Sequence, residues 1–500
     1  METLVRPLIQ PILEFPDSLR GILKSRGISA SELARMMAYK SRNSIFRILD
    51  GVGGESARQA FYDRLIGEDP LGLDDEERAA LEQSLEVSRV GAQVFLSNYA
   101  MREMLMDKAD DADRLKLRVD AIVDEADPTF EKALREMEHC RIAYVTITGC
   151  CDRKIFDALR ERVHRTDITC EVRIAHLIYT GEEEIVRNIS AIQPLLYCDF
   201  YRPYCVEPGV WSREREAFFR QNCIYLLMLD QQGTWYRHTL VLVDKGVFVS
   251  LGKSKGDRQD PFSRYFAGDV RRMPMLKTEI PSGGQLDSYL MYTENCRKLE
   301  NNRAAYTIKP DIGLSYVHPD VLLPCIDEKF WQMAGERAEE IKEKFYQVHL
   351  ARWENLFTQK KTSAVIFSRK AMVRFAKTGR QSDHFFAARS YTPDERVQIL
   401  SKIRRAMLDR SGFCVYFFKD YFEPAVTEIG LYEGAGTLMT KPHTHYNLAG
   451  DHSEAIVTQK EFCERYKEFY VKDLLERRVL TREETLAVMD ELIAIAQSAC

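Results

Sequence analysis

Within residues 42–47, Arg42, Asn43, Ser44 and Arg47 carry side chains of the kind that read nucleic-acid base edges. An arginine fork matches O6 and N7 of guanine, and an asparagine amide matches N6 and N7 of adenine. The spacing suits that role, because Ile45, Ile48 and Leu49 recur at helical intervals and claim the inner face. The four polar residues are left outside. Between positions 20 and 47, seven basic residues (Arg20, Lys24, Arg26, Arg35, Lys40, Arg42, Arg47) stand against one acid, Glu32. This local excess of six positive charges belongs to a chain of net charge −5, so attraction to a polyanion must be local. Lys24 suits a phosphate oxygen, and Lys40 belongs to the same basic set.

Such side chains need a rigid mount, and the flanking sequence carries the signals for one. Residues 19–51 read as three short helices with a start or stop signal at each joint. Gly27 closes the first, being free to take the left-handed backbone of a helix end. Ser29 opens the second, and with Glu32 it predicts a reciprocal capping box. Ile28 and Leu33 fall at the positions that staple the start of that helix. Ser41 caps a third helix and Gly51 ends it. Ile45, Ile48 and Leu49 are expected to pack on Leu33, Met37, Ile22 and Leu23. This array resembles the helix-turn-helix of the phage-repressor (Xre-like) family. The resemblance implies a third helix in the DNA major groove, with Arg42, Asn43, Ser44, Arg47, Lys40 and Lys24 as DNA-binding residues. One departure stands out: residues 37–41 make a turn one residue longer than the commonest in that family, without its glycine.

Four other groupings could do chemistry. His443, His445, Asp451 and His452 cluster near Pro442, but no further ligand has diagnostic spacing, so surface histidines are expected and no metal. Cys150 and Cys151 after Gly149 could form a redox switch, although buried thiols in a strand-to-helix turn fit better. Tyr197, Tyr201, Tyr204, Trp211, Phe218 and Phe219, with Arg202, Arg213 and Arg215, could line a small-molecule pocket; packing is the simpler account. The last grouping is His238-Thr239-Leu240-Val241-Leu242-Val243-Asp244-Lys245. It lies in a run of alternating strands and helices similar to one half of a phospholipase D-like domain, whose enzymes use H-x-K-x4-D. Leu240 stands where the lysine belongs and Lys245 where the aspartate belongs. A phosphoryl site stabilised by charge cannot use leucine there, so no phosphodiesterase is expected.

The remainder is ordinary for a soluble multidomain chain: 500 residues, 45% hydrophobic and 29% charged. No apolar run is long enough to span a membrane, and Pro7, Pro11, Arg6 and Glu14 break up any leader. Twelve cysteines without CxxC spacing indicate reduced thiols and a cytoplasmic setting. Residues 51–54 read as a flexible link lacking a phosphate-loop Lys-Ser/Thr. Acidic residues 74–77 open a helix reaching about Ser88. Further helices are expected at 91–106 and 110–125. Strands are expected at 141–148, 170–179, 223–229, 238–243 and 247–251, and helices at 152–163 and 183–192, the latter stopping before Pro194. Past Thr307 come a long helix at 327–357, a helix at 392–410, strands at 413–418 and 428–432, and helices at 458–477 and 481–497. No internal repeat is legible.

The expected fold class is multidomain, an all-α helix-turn-helix head followed by a large α/β (α+β) domain. Its parts are a DNA-binding domain at 1–70, a helical connector at 71–127, an α/β sensory or assembly domain at 128–306 and an α+β region at 307–500. The expected partners are double-stranded DNA, a second copy as homodimer, and a small-molecule effector, with no membrane and no cofactor. The expected function is transcriptional regulation without catalysis. The alternative is a degenerate phosphodiesterase-like enzyme with a helical interaction head.

Overall fold

Three consecutive helices end in the same way. α1 (Phe15–Ser25), α2 (Ala30–Met36) and α3 (Asn43–Leu49) each stop at a left-handed residue: Gly27 with φ 66°, Ala38 with φ 49° and Gly51 with φ 70°. Two backbone bonds close each end. The amides of Ile28, Tyr39 and Val52 donate to the carbonyls of Leu23, Ala34 and Arg47 at 2.9, 2.9 and 3.0 Å. Those of Gly27, Ala38 and Gly51 donate to Lys24, Arg35 and Ile48. The double closure satisfies carbonyls that a helix end otherwise leaves bare. Gly27 and Gly51 take this conformation freely, whereas Ala38 carries a Cβ into it.

The helix starts follow the sequence with two differences. The Ser29 hydroxyl accepts from the Glu32 amide at 3.2 Å, so α2 begins where expected. The capping box is only half made, because the Glu32 carboxylate turns to Arg35 at 3.4 Å. A charged partner one turn on outcompetes a neutral amide. The Ser41 hydroxyl accepts from the Asn43 amide at 3.3 Å, and Arg42 already has helical dihedrals of −61° and −24°. Residues 51–54 are a closed turn instead of a loose link. The Val52 and Gly53 amides share the Arg47 carbonyl, and a Cβ on Gly53 would stand 3.0 Å from Ile48 Cδ1.

Ile45, Ile48 and Leu49 share one core with Leu33, Met37, Ile22 and Leu23, as their spacing indicates. Burying one such leucine contributes about 1.5–3 kcal/mol. The same core takes in Phe15 and residues of three later segments. These are Phe61 and Leu65 on α4 (Glu55–Glu68), the connecting Leu71 and Leu73, and Leu81 on α5 (Asp75–Val90). Asp74 and Glu77 form a complete capping box at the start of α5. Arg26, past the end of α1, ties that start down: its guanidinium bonds Glu77 and donates to the Leu71 carbonyl at 2.6 Å. α6 (Ala92–Met106) follows.

The chain divides into two compact units, Met1–Arg102 and Glu103–Cys500. The computed structural model describes residues 8–39, 41–106, 128–149, 152–164, 169–179, 184–198, 200–207, 209–213, 216–217, 220–244, 247–256, 275, 277–278, 285–358, 361–381, 387–410, 412–419, 428–440 and 454–498. The expected helix at 110–125 lies outside them.

The second unit contains two mixed sheets, which makes the chain an α+β multidomain protein. In the first, β1 (Ile142–Thr148), β2 (Glu171–Tyr179) and β3 (Tyr201–Val206) run parallel. β4 (Cys223–Leu229), β5 (Trp235–Asp244) and β6 (Val247–Gly256) continue antiparallel from β1, giving the order β3-β2-β1-β4-β5-β6. α7 (Pro128–Glu138) precedes β1, while α8 (Arg153–His164) and α9 (Ile185–Leu196) make the crossovers between parallel strands. α9 runs through Pro194 instead of stopping before it. Ile189, Ile192, Leu195 and Leu196 are all buried, and their packing outweighs the one hydrogen bond that a proline removes.

The second sheet repeats this plan, although the sequence shows no repeat. A two-residue strand, β7 (Lys277–Thr278), and α10 (Gln285–Glu300) come first. β8 (Ala305–Lys309), β9 (Ser363–Phe367) and β10 (Phe413–Phe417) are parallel. β11 (Glu428–Tyr432), β12 (Gly436–Thr440) and β13 (Glu454–Val457) are antiparallel. The order β10-β9-β8-β11-β12-β13 matches the first sheet strand for strand, with β7 added at the β13 edge. The expected helix at 327–357 is broken by Gly335 at φ 59°, leaving α11 (Ala338–Thr358). α12 (Arg369–Thr378) and α13 (Pro393–Asp409) cross from β9 to β10. α14 (Lys460–Glu468) turns into a π-helix at Phe469–Leu475, and α15 (Arg482–Ser498) packs on the sheet's core through Val488, Met489 and Leu492.

Candidate nucleic-acid interface

The inner residues of α3 fix which side chains it can present. Ile45, Ile48 and Leu49 are buried, and Asn43, Ser44 and Arg47 are exposed. Asn43 and Arg47 are four apart and lie on one stripe. Arg42 is exposed too, and its helical dihedrals carry the phase of α3 one residue back, which places it one turn before Phe46 on the same stripe. Phe46 is itself 41% exposed, an apolar group on an otherwise polar face. The spacing of the core residues foretold the four polar positions; nothing in it singled out Phe46.

The basic residues divide by their partners. Arg26 is committed to Glu77 and the Leu71 carbonyl, and the hydrogen bond with Glu77 raises its pKa further above the usual arginine value. Arg20 bridges Asp17 at 3.0 Å and Asp50 at 3.4 Å, and Arg35 meets Glu32. Lys24, Arg42 and Arg47 have no ion pair or hydrogen bond from their charged groups among the described residues. Lys40 lies outside the described residues. The sequence excess of six therefore overstates the charge on offer: three of the seven cations already serve the head's own acids.

The enzyme-like grouping also takes shape. His238 on β5 is 6% exposed, with Nε2 2.9 Å from Ser250 Oγ and Nδ1 3.6 Å from the Glu136 carboxylate. A bulge at Leu251 puts Ser250 opposite Leu240 and hence on the same face as His238. No local spacing marks this contact, because a hairpin bulge brings Ser250 to His238 and Glu136 comes from a helix far back in the chain. Leu240 is fully buried in the strand, and Lys245 lies outside the described residues.

Of the remaining groupings, His443, His445, Asp451, His452, Cys150, Cys151, Arg215, Phe218 and Phe219 lie outside the described residues. Tyr201 is buried in β3, its hydroxyl 2.7 Å from His176 Nδ1, and Tyr197 is buried nearby, so these two are packing residues. Arg202 and Arg213 are exposed. Among the described residues, no group of three or more His, Cys, Asp or Glu could hold a metal ion, and no helix is long and apolar enough to cross a membrane.

No family model, curated protein or solved structure matches this chain.

Proposed function

We propose that this protein is a sequence-specific, double-stranded DNA-binding transcriptional regulator with a helix-turn-helix head of the phage-repressor type. In this reading α3 is the recognition helix, it acts in the cytoplasm, and it binds as a homodimer. The observation that carries the proposal is the outer face of α3. Arg42, Asn43, Ser44 and Arg47 are exposed together on a helix whose ends are locked, and neither arginine is engaged by an acid among the described residues. Arg42 and Asn43 read bases, while Lys24 and Lys40 hold phosphates. The second unit senses a ligand or drives assembly, and carries no catalysis. Two heads on one dimer engage two half-sites and multiply a weak single affinity.

Selection from a random duplex library with the full chain tests this directly. One motif is enriched, and Arg42→Ala loses about 1–3 kcal/mol on it while non-specific binding changes little. Lys24→Ala weakens all duplexes alike and flattens the salt dependence. No enriched motif, or equal loss on specific and non-specific DNA in Arg42→Ala, removes the base-reading role. A strict monomer in sedimentation at micromolar concentration removes the dimer.

A second reading, a phosphodiesterase-like enzyme, draws on the contact of His238 with Ser250 and on the doubling of the sheet plan, which supports the likeness to a two-halved phospholipase D-like domain. Buried Leu240 argues against it. Hydrolysis of a chromogenic phosphodiester that disappears in His238→Ala would establish it over the first reading's silent second unit.

A further inference from the structure

The face of the second sheet beneath α11 holds a small cavity of about 40 Å³ lined by both polar and apolar groups. Among the residues that line it, four buried ones carry hydroxyls: Thr307, Ser315, Tyr316 and Tyr432. They are 5%, 4%, 2% and 3% exposed, and none of the four hydroxyls has a hydrogen-bond partner among the described residues. Hydroxyls of low exposure that have no protein partner are served by whatever polar group enters the space they line.

The backbone around them is shaped to make room. Gly430 lies opposite Thr307 in the sheet, and a Cβ there would come within 2.9 Å of Thr307 Cγ2 and 3.3 Å of the Tyr432 ring. Gly313 does the same for the loop, where a Cβ would stand 3.3 Å from Lys309 Nζ. An alanine at either place would press on the groups that line the cavity.

Charge decides what the occupant is. Both nearby acids are already committed. Glu428 pairs with the buried Lys309, and Glu300 takes two bonds from Arg352 at 2.8 and 2.9 Å. Two other cations at the cavity are not matched by acids. Arg303 donates to the carbonyls of Lys298 and Leu299, and Lys361 has no partner among the described residues. Burial, with the fields of Glu300 and Glu428, holds the Tyr316 and Tyr432 hydroxyls well above their ordinary pKa. They stay protonated and able to donate. Hydroxyl donors inside, with unmatched cations at the wall, suit a ligand that only accepts.

We propose that this cavity is a binding site for a small oxyanion, a phosphate group either free or as the head of a monoester. A water needs about 10–15 Å³ by the same measure, so the space takes a group of a few polar atoms and excludes a nucleotide base. The site stands on the second unit alone and is independent of DNA binding.

Calorimetric titration of the full-length protein with inorganic phosphate tests it, with methyl phosphate and acetate as further arms. Phosphate binds, and Tyr432→Phe and Ser315→Ala, each losing one hydroxyl, weaken it roughly three- to tenfold. Lys361→Ala weakens it further at low salt than at high salt. Methyl phosphate binding equal to or tighter than phosphate assigns a monoester; phosphate binding alone assigns the free ion. Circular dichroism verifies that each variant keeps the wild-type fold, and the two hydroxyl variants serve as independent checks on one another. No phosphate binding to the wild type, binding unchanged in both hydroxyl variants, or acetate binding as tightly as phosphate overturns the proposal.

Discussion

Replacing Ala38 with glycine stabilises the joint between α2 and α3. Ala38 has φ 49°, a conformation that costs an L-residue about 1–2 kcal/mol through its Cβ. Its methyl is exposed, so removing it sacrifices no packing. The opposing effect is the greater freedom that glycine gives the unfolded chain, about 0.4–1 kcal/mol. The strain is the larger effect, leaving a net gain of about 0.5–1 kcal/mol. Both backbone bonds at this helix end are made by main-chain amides and survive the change. Hydrogen–deuterium exchange on the full-length protein, read in peptides over residues 30–49, reports this joint without assuming that all 500 residues unfold together. Exchange there slows about two- to fivefold in Ala38→Gly. Gly27→Ala and Gly51→Ala are the mirror controls and speed exchange. At Gly51 the added Cβ would meet nothing nearer than Pro16 Cγ at 4.0 Å, and at Gly27 nothing within 4 Å. Their cost is therefore conformational. Unchanged or faster exchange in Ala38→Gly would show that Ala38 is not held left-handed and would refute the reasoning.

Ser29→Ala removes the hydroxyl that caps α2 and destabilises the head by about 1 kcal/mol, whereas Glu32→Ala costs less because its carboxylate does not complete the box; the same exchange measurement ranks the two, and the reverse order would restore the full box. At the start of α13, the Arg389 guanidinium holds the Glu395 carboxyl at about 2, below its ordinary 4.5. A depressed carboxylate stabilises above its unfolded pKa, so this contribution is complete above about pH 4.5 and fades as pH falls towards 2. Arg389→Ala accordingly loses protection over residues 393–409 at pH 6, and its difference from wild type narrows on acidification; a difference independent of pH would exclude the pair as its source. Glu428→Gln leaves the buried Lys309 ammonium without its carboxylate and costs about 3–5 kcal/mol, seen as a lower thermal midpoint. A midpoint within a degree of wild type would mean that Lys309 finds another acceptor.

What the sequence made legible was local. The cap at Ser29, the helix starts near residues 74 and 392, and the stops at Gly27 and Gly51 rest on interactions across three to six residues. Strands β4 and β11 could be read to the residue because their apolar runs are bounded by polar turns. β3 was not read as a strand: its tyrosines were grouped with the aromatic residues that follow, and its pairing with β2 is made across a whole crossover. The single helix expected over 327–357 failed for the opposite reason. Its periodicity is sound on either side of Gly335, and the left-handed glycine overrides it.

The same distinction separates the two candidate sites. The α3 face was legible because its residues are neighbours on one helix, and its shielded charge was not, because Glu77 reaches Arg26 from 51 residues away. The cavity under α11 left no trace in sequence at all: Thr307, Ser315 and Tyr432 are a strand residue, a residue of a short 3-10 helix and a distant strand residue, each unremarkable alone. The doubled sheet plan explains how such a site arises without a motif. In the first sheet the strand corresponding to β8 is β1, whose end is closed by Thr148 donating to the Gln221 carbonyl at 2.7 Å and by Gly149, where a Cβ would meet that carbonyl at 2.8 Å. In the second sheet the matching end carries Lys309 against Glu428, and the loop beyond it opens at Gly313 to admit a polar space. One strand order thus ends in contacts to a backbone carbonyl at β1 and in hydroxyls and cations beyond β8.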